Sequence, residues 1–293
     1  MPRLFSPALD AAIDAEPVKI LDHGFIRVVD YCGTEETIER AARQSYAVEP
    51  VPRLPEERRT LLRYLIRHQH TTPLEMCEIA FQVKLPIFVA RQWIRHRMAN
   101  INELSGRYSI LDKEFYIPEA GQMCSQSLTN KQGRAEPVPE AKLLMEEMRY
   151  ACNDSFGMYE GANQAGLTRE LARIVLPLST YTTWTWKCDL HNLLHFLSLR
   201  LDSHAQYEIR VYADQIWKWV CEWVPVIAEA FTDYRLEAMV LSRLEVEALQ
   251  KIIGSIAVTG KPEMISPQFA IDSIPNKRER EEFLVKLARL TDT

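Results

Sequence analysis

The 293-residue chain is 47% hydrophobic and 26% charged, with charges spread along its length, which is the make-up of a folded protein with apolar residues enough for a large core. A net charge of −5 excludes a protein built to coat nucleic acid, so no nucleic-acid partner is expected and any anion site must be a local basic cluster. No apolar run approaches the roughly 20 residues that cross a bilayer, and Met1-Pro2-Arg3-Leu4-Phe5 opens no apolar leader, so the expected compartment is the cytoplasm with no membrane contact.

After a loose start, Phe25–Tyr31 is rich in β-branched and aromatic residues and predicts a short strand that ends at Gly33. Thr34 then reads as a helix N-cap, with Glu35 and Glu36 in the first turn and a helix running through Ile38, Ala41, Ala42 and Tyr46. Pro55 opens a second helix, striped by Leu61, Leu62, Leu65 and Ile66 and ending near His68. From Met76 to Leu85 polar and apolar residues alternate, predicting a half-buried strand. Pro86 suits the first turn of a helix over 87–94, which delivers Arg95, His96 and Arg97 at its C-terminal end.

The stretch 118–139 has the composition of a surface loop or insertion with little chemistry. Helices are expected over 138–165, 168–176, 189–200 and 204–231, with a strand at Tyr181–Lys187 between them. The domain plan is one domain over 1–235 and a C-terminal extension over 236–293, with helical patterns near 241–252 and 277–290 and no visible site. Six cysteines stand far apart without a C-x-x-C pair and read as buried thiols, not as a zinc or redox site.

The densest chemical signal lies between Arg91 and Tyr108, where four arginines and one histidine fall within eighteen residues of an acidic chain. Arginine offers a planar fork of donors that matches phosphate, and Ser105-Gly106 permits a turn whose N–H groups meet phosphate oxygens. The same residues also describe a solvated basic helix end followed by a turn. Arg95-His96-Arg97, seven residues, then Ser105 resembles the R-H-R-x7-S signature of flavin-dependent thymidylate synthases, as does the flank Asn102 to Tyr108. The similarity extends over roughly 60–108 and 168–232.

That resemblance implies an α+β fold with a small antiparallel sheet and a larger helical part, assembled as a homotetramer with sites shared between subunits. It implies methylation of dUMP to dTMP with FAD as cofactor and NADPH and 5,10-methylenetetrahydrofolate as co-substrates. His70-Thr71-Thr72-Pro73-Leu74-Glu75 resembles the family's H-x-T/S-P-x-E element, so His70 and Thr72 are carried over as FAD contacts, with Arg95, His96, Arg97, Glu103, Asp189, His191 and His195. The substrate set is Gln92, Arg95, Glu103, Leu104, Ser105, Gly106, Arg107, Arg173 and Arg200, and Arg200 also matches the arginine that activates dUMP.

From the residues themselves, His191 and His195 share a helix face, and Arg200 and His204 are expected on a common face further along. No G-x-G-x-x-G or P-loop is present, so a flavin would be held by side chains. None of the cysteines falls in the Arg/His clusters, although Cys188 precedes Asp189; activation of uracil C5 by a fixed cation is therefore expected in place of thiolate addition. Ser105 reads as a phosphate or substrate ligand, or as a nucleophile if a base reaches it. Exposed Trp217, Trp219 and Trp223 would suit a subunit interface, or equally a core. Two rival readings are a non-catalytic nucleotide- or RNA-phosphate-binding protein and a metal-dependent nucleotide hydrolase. No metal is expected, because His68-x-His70 has no third ligand placed by sequence.

Overall fold

The computed structural model describes residues 4–44, 54–128, 133–259, 271–274 and 276–291. They fall into two compact units, Met1–Leu236 and Glu237–Thr293. Tyr46, expected in the first long helix, lies outside the described residues.

The first unit is α+β, built on an antiparallel five-stranded sheet in the order β1-β2-β3-β7-β4. These strands are β1 (Val18–Ile20), β2 (Gly24–Cys32), β3 (Glu78–Pro86), β4 (Asn100–Glu103) and β7 (Tyr181–Asp189). β3 starts at Glu78 because Met76 closes a short 3-10 turn, and it buries Ile79, Phe81, Val83 and Leu85 on one face as the alternation requires. Ala80 on the other face is buried too. At the tight β1–β2 turn only a glycine fits: a Cβ on Gly24 would lie 2.3 Å from Tyr212 Oη and 2.6 Å from the Ile20 carbonyl oxygen.

From Ser6 the start is ordered, not loose. Ser6 accepts the Leu9 N–H and caps α1 (Pro7–Asp14), which Tyr31 ties to β2 by donating to Asp10 at 2.7 Å. α2 (Glu35–Gln44) and α3 (Pro55–Arg67) follow as expected. β3 runs straight into α4 (Ile87–Trp93). The stretch expected as a loop holds a two-stranded hairpin, β5 (Cys124–Gln126) and β6 (Arg134–Pro137). After α5 (Ala141–Gln164), the expected helix 168–176 is only one turn, α6 (Arg169–Ala172), continued as a 3-10 turn to Val175.

β7 leads directly into α7 (Leu190–Arg200). The helix expected over 204–231 is two, α8 (Tyr207–Trp223) and α9 (Pro225–Phe231), because Pro225 has no N–H to continue the first. Residues 201–205 are irregular, so Arg200 and His204 share no helix face; exposed His204 bonds Asp202 instead. Trp219 and Trp223 are buried within the protomer and Trp217 packs partly buried on the same core, which corrects the reading of them as exposed. Trp223 Nε1 donates to the Gly33 carbonyl at 2.8 Å.

The core beneath α4 and α7 is aromatic: Trp93 stacks on Phe196 at 4.8 Å and meets Trp184 and Trp186 edge-on. That packing sets the relative position of the two helices. In the second unit, α10 (Arg243–Thr259) and α11 (Lys277–Thr291) enclose a small core of Ala248, Ile271, Ile274 and Phe283. Ser242 and Glu245 form a capping box at the start of α10, and Lys286 pairs with buried Glu245 at 2.7 Å.

Candidate active site

Two strand-to-helix junctions build the site. Pro86 turns β3 into α4 without an N–H to satisfy, and Asp189 caps α7 by accepting the Asn192 N–H at 2.9 Å and its side-chain amide at 2.7 Å. The Asp189 carboxylate is therefore engaged in holding the helix. With Trp93 stacked on Phe196, the segment after α4 meets the far end of α7. There Arg95, His96, Arg97, Asn192, His195 and Arg200 surround a cavity of about 490 Å³ whose apolar wall is Trp186, Met98 and Leu199.

Arg200 Nε donates to His96 Nε2 at 3.2 Å. Arginine is always a donor, so His96 accepts at Nε2 and carries its proton on Nδ1. Burial, with the Arg200 charge and His195 adding to it, pushes the His96 pKa down to about 4, so the ring is neutral at pH 7. Burial also lowers the Arg200 pKa, yet a guanidinium remains a cation.

A second cluster follows β4, whose end is held by the Leu104 N–H on the Thr183 carbonyl and by Thr182 donating to Glu103 at 2.7 Å. Ser105 Oγ accepts the Arg107 N–H at 3.3 Å, closing a turn. Gly106 lies close against the stem of Arg173: a Cβ there would be 3.3 Å from Arg173 Cδ and 3.2 Å from Leu111 Cδ1. Arg107 stands 3.7 Å from Glu170, and Arg169 donates to the Tyr108 carbonyl. The Ser105–Arg107 turn and Arg173 do not line the Arg95–Arg200 cavity. Gln92, on α4, donates its side-chain N–H to Gln206.

His70 and His191 face a second cavity of about 310 Å³, and His195 lines both cavities. Thr71 lines this one, whereas Thr72 gives its carbonyl to the Glu75 N–H at 3.2 Å. Sequence reasoning did not find Gln69, Ser198 and Arg235, which also line it; Gln69 has a left-handed φ of 59°, but nothing in the local sequence signals that. Cys188 is buried in the β3–β7 ladder, and burial raises its pKa well above the ordinary thiol value, so it is an inert core residue. Cys32 is exposed, unlike the buried thiols expected.

Three arginines, Arg95, Arg97 and Arg200, share the first cavity with no carboxylate in its lining. Arg58, Arg59, Arg63 and Arg134 each have a carboxylate partner. Among the described residues Arg91, Arg95, Arg97, Arg173 and Arg200 have none, in a chain of net charge −5. Unpaired cations held together repel one another, an arrangement that an anionic ligand relieves.

Comparison with known proteins agrees with this chemistry. Residues 27–226 match the family model Thy1, described as thymidylate synthase complementing protein. The chain is 50% identical to the flavin-dependent thymidylate synthase of Ruegeria pomeroyi over 88% of its own length and 86% of the relative's. It is 47% identical to that of Rickettsia prowazekii over 98% of both chains. A solved UMP/dUMP methylase, PolB from Streptomyces cacaoi, bound with 5-Br dUMP, superposes with a TM-score of 0.69 at 30% identity, covering 75% of this chain and 99% of that one. The sheet, the junction helices and the unpaired arginines thus belong to a member of the Thy1 family, the flavin-dependent thymidylate synthases.

Proposed function

We infer that this enzyme methylates dUMP to dTMP, using FAD, 5,10-methylenetetrahydrofolate as the one-carbon source and NADPH as the source of electrons. The observation that carries the reading is the gathering of Arg95, Arg97 and Arg200, without carboxylate partners, around a neutral histidine in a chain of this family. The residues suit a flavin dinucleotide: guanidinium groups answer a pyrophosphate, and the apolar wall of Trp186, Met98 and Leu199 suits a flat ring. Arg95, His96, Arg97, His195 and, from the second cavity, His70 and His191 would hold it. Thr72 and Asp189 act indirectly, through the turn and the helix cap they shape.

Reduced FAD supplies the hydride that turns the transferred carbon into a methyl group. The chain's own part is to bind and polarise dUMP. Ser105, Gly106, Arg107 and Arg173 form the phosphate subsite, a turn plus cations, with Leu104, Glu103 and Gln92 beside it. Arg200 stabilises negative charge on the uracil ring after loss of the N3 proton, which raises electron density at C5. It cannot itself be the base, since a guanidinium keeps its proton and has no lone pair to accept another. The Arg200 Nε is fixed by neutral His96, which leaves the terminal N–H groups for the ring.

The phosphate turn and the Arg95–Arg200 cavity are separate in one protomer, which supports sites completed across subunits of a homotetramer. Exposed Leu143, Leu144, Met148, Leu171 and Ile174 on α5 and beside Arg173 offer the apolar surface such contacts need. The reaction is assigned to residues 1–235, since the family match ends at residue 226, and 236–293 is an extension without an assigned step. Nucleotide and folate pools make the cytoplasm the proposed compartment.

The test is the visible spectrum of the purified chain after loading with FAD and desalting, followed through a dUMP titration. Flavin that is retained and shifts with dUMP, with dTMP formed on adding the folate donor and NADPH, is the expected result. A chain that retains no flavin at micromolar concentration would point to a non-catalytic phosphate binder.

A further inference from the structure

A buried carboxylate lies behind the proposed nucleotide site and has no part in the reaction just described. Glu208, on α8, is 1% exposed. Arg134, from the β5–β6 hairpin, clamps both of its oxygens at 2.6 and 2.7 Å. Tyr116 donates its hydroxyl to Oε1 at 3.0 Å, and Gln206 donates its side-chain N–H to Oε2 at 2.9 Å. Gln206 Oε1 in turn accepts from Gln92 Nε2. Burial alone would raise the Glu208 pKa, but the bonds from Arg134 and Gln206 outweigh it and hold the group below the usual carboxylate range.

The polarity of this relay follows from the charge at its end. An ionised carboxylate only accepts, so Gln206 must turn its NH2 toward Glu208. Only its carbonyl oxygen is then left for Gln92, which must answer with its own NH2. The Gln92 carbonyl oxygen is therefore the end left open, and among the described residues nothing donates to it. Two amides whose faces would otherwise be interchangeable are locked in one sense by a group two residues deeper.

We propose that Gln206 is a positioning residue, held by Glu208 and Arg134, that presents the Gln92 carbonyl oxygen to a hydrogen-bond donor of the bound nucleoside. This rests on the reading of Gln92 as a dUMP contact. An acceptor cannot meet a phosphate oxygen, so Gln92 meets either the uracil N3–H or the sugar 3′-hydroxyl, and the relay contributes to selecting a nucleoside. The hairpin that supplies Arg134 becomes part of substrate recognition from a distance.

The experiment is calorimetric titration of dUMP into the full FAD-loaded chain, in the unaltered protein, Gln206→Met, Gln92→Met and the double variant. Losing one oriented hydrogen bond should weaken dUMP by about 3- to 10-fold in each single variant. The double variant should lose no more than Gln92→Met alone, because both act through one contact. N3-methyl-dUMP and the 3′-deoxy analogue then identify the donor: one of them should bind the unaltered protein and Gln206→Met equally well. Unchanged dUMP affinity in Gln206→Met, additive losses, or a loss that persists with both analogues would overturn the proposal alone. Absence of dUMP binding by the unaltered protein would overturn the functional reading and the proposal together.

Discussion

The bond from Arg200 Nε to His96 Nε2 joins the end of α7 to the segment after α4, and makes the orientation of the one side chain depend on the protonation of the other. A protonated imidazole would face the guanidinium with a donor and a like charge. Arg200→Ala should therefore raise the titration midpoint of His96 from about 4, since the Arg200 charge is one of its causes, burial being the larger. NMR titration of the histidine ring protons reads this directly. Turnover should fall by about 10²-fold or more, as for loss of a preorganised charge facing a developing anion. A variant with near-normal turnover would remove Arg200 from the mechanism.

Stability should carry the same signature. Unfolded His96 titrates near 6.5 and folded His96 near 4, so between these values the unfolded chain binds the extra proton. The His96 contribution favours folding above pH 6.5 and is lost as pH falls through the window toward 4. Replacing it by His96→Gln should flatten the decline of melting temperature between pH 6.5 and 4 relative to the unaltered protein. Parallel declines in the two proteins would show that His96 is not the titrating group.

Much of the candidate site was legible because its signals are local. Arg95-His96-Arg97 and Ser105-Gly106-Arg107 are each set on short segments, and the 76–85 alternation locates the strand that feeds α4. What escaped depends on distant partners. Glu208 reads as an ordinary acidic residue in a first helical turn until Arg134, seventy-four residues away in sequence, closes on it. Trp219 and Trp223, four apart, share a helix face, and periodicity alone does not say whether a core or another subunit covers it. Pro225 was visible in sequence, but the apolar pattern on both sides of it read as one helix.

At the turn proposed to bind phosphate, Gly106 admits the stem of Arg173 and the side chain of Leu111. Gly106→Ala would place a methyl 3.3 Å from Arg173 Cδ and 3.2 Å from Leu111 Cδ1, the first in the stem and the second at the end of a movable side chain. The fold should survive while Arg173 is displaced by a few tenths of an ångström. Steady-state kinetics should show KM for dUMP rising by roughly 3- to 10-fold with kcat changed by less than about twofold. An unchanged KM would mean that Arg173 does not reach the substrate from this turn.

Gly24 poses the opposite case, because its neighbours cannot give. A Cβ there would lie 2.6 Å from the Ile20 carbonyl oxygen and 2.8 Å from that of Lys84, both backbone atoms of the sheet, and 2.3 Å from Tyr212 Oη. Tyr212 donates to the Lys84 carbonyl at 2.7 Å and is buried, so moving it aside costs its hydroxyl that bond. Gly24→Ala should thus cost more than about 2 kcal/mol, which for a chain of this size lowers the melting temperature by at least about 4 °C. Tyr212→Phe in the same background should recover part of that loss, since it removes the hydroxyl that meets the new methyl. If the Gly24→Ala melt coincides with that of the unaltered protein, the β1–β2 turn must relax in a way that frees the carbonyls, and the close approach is not what requires glycine there.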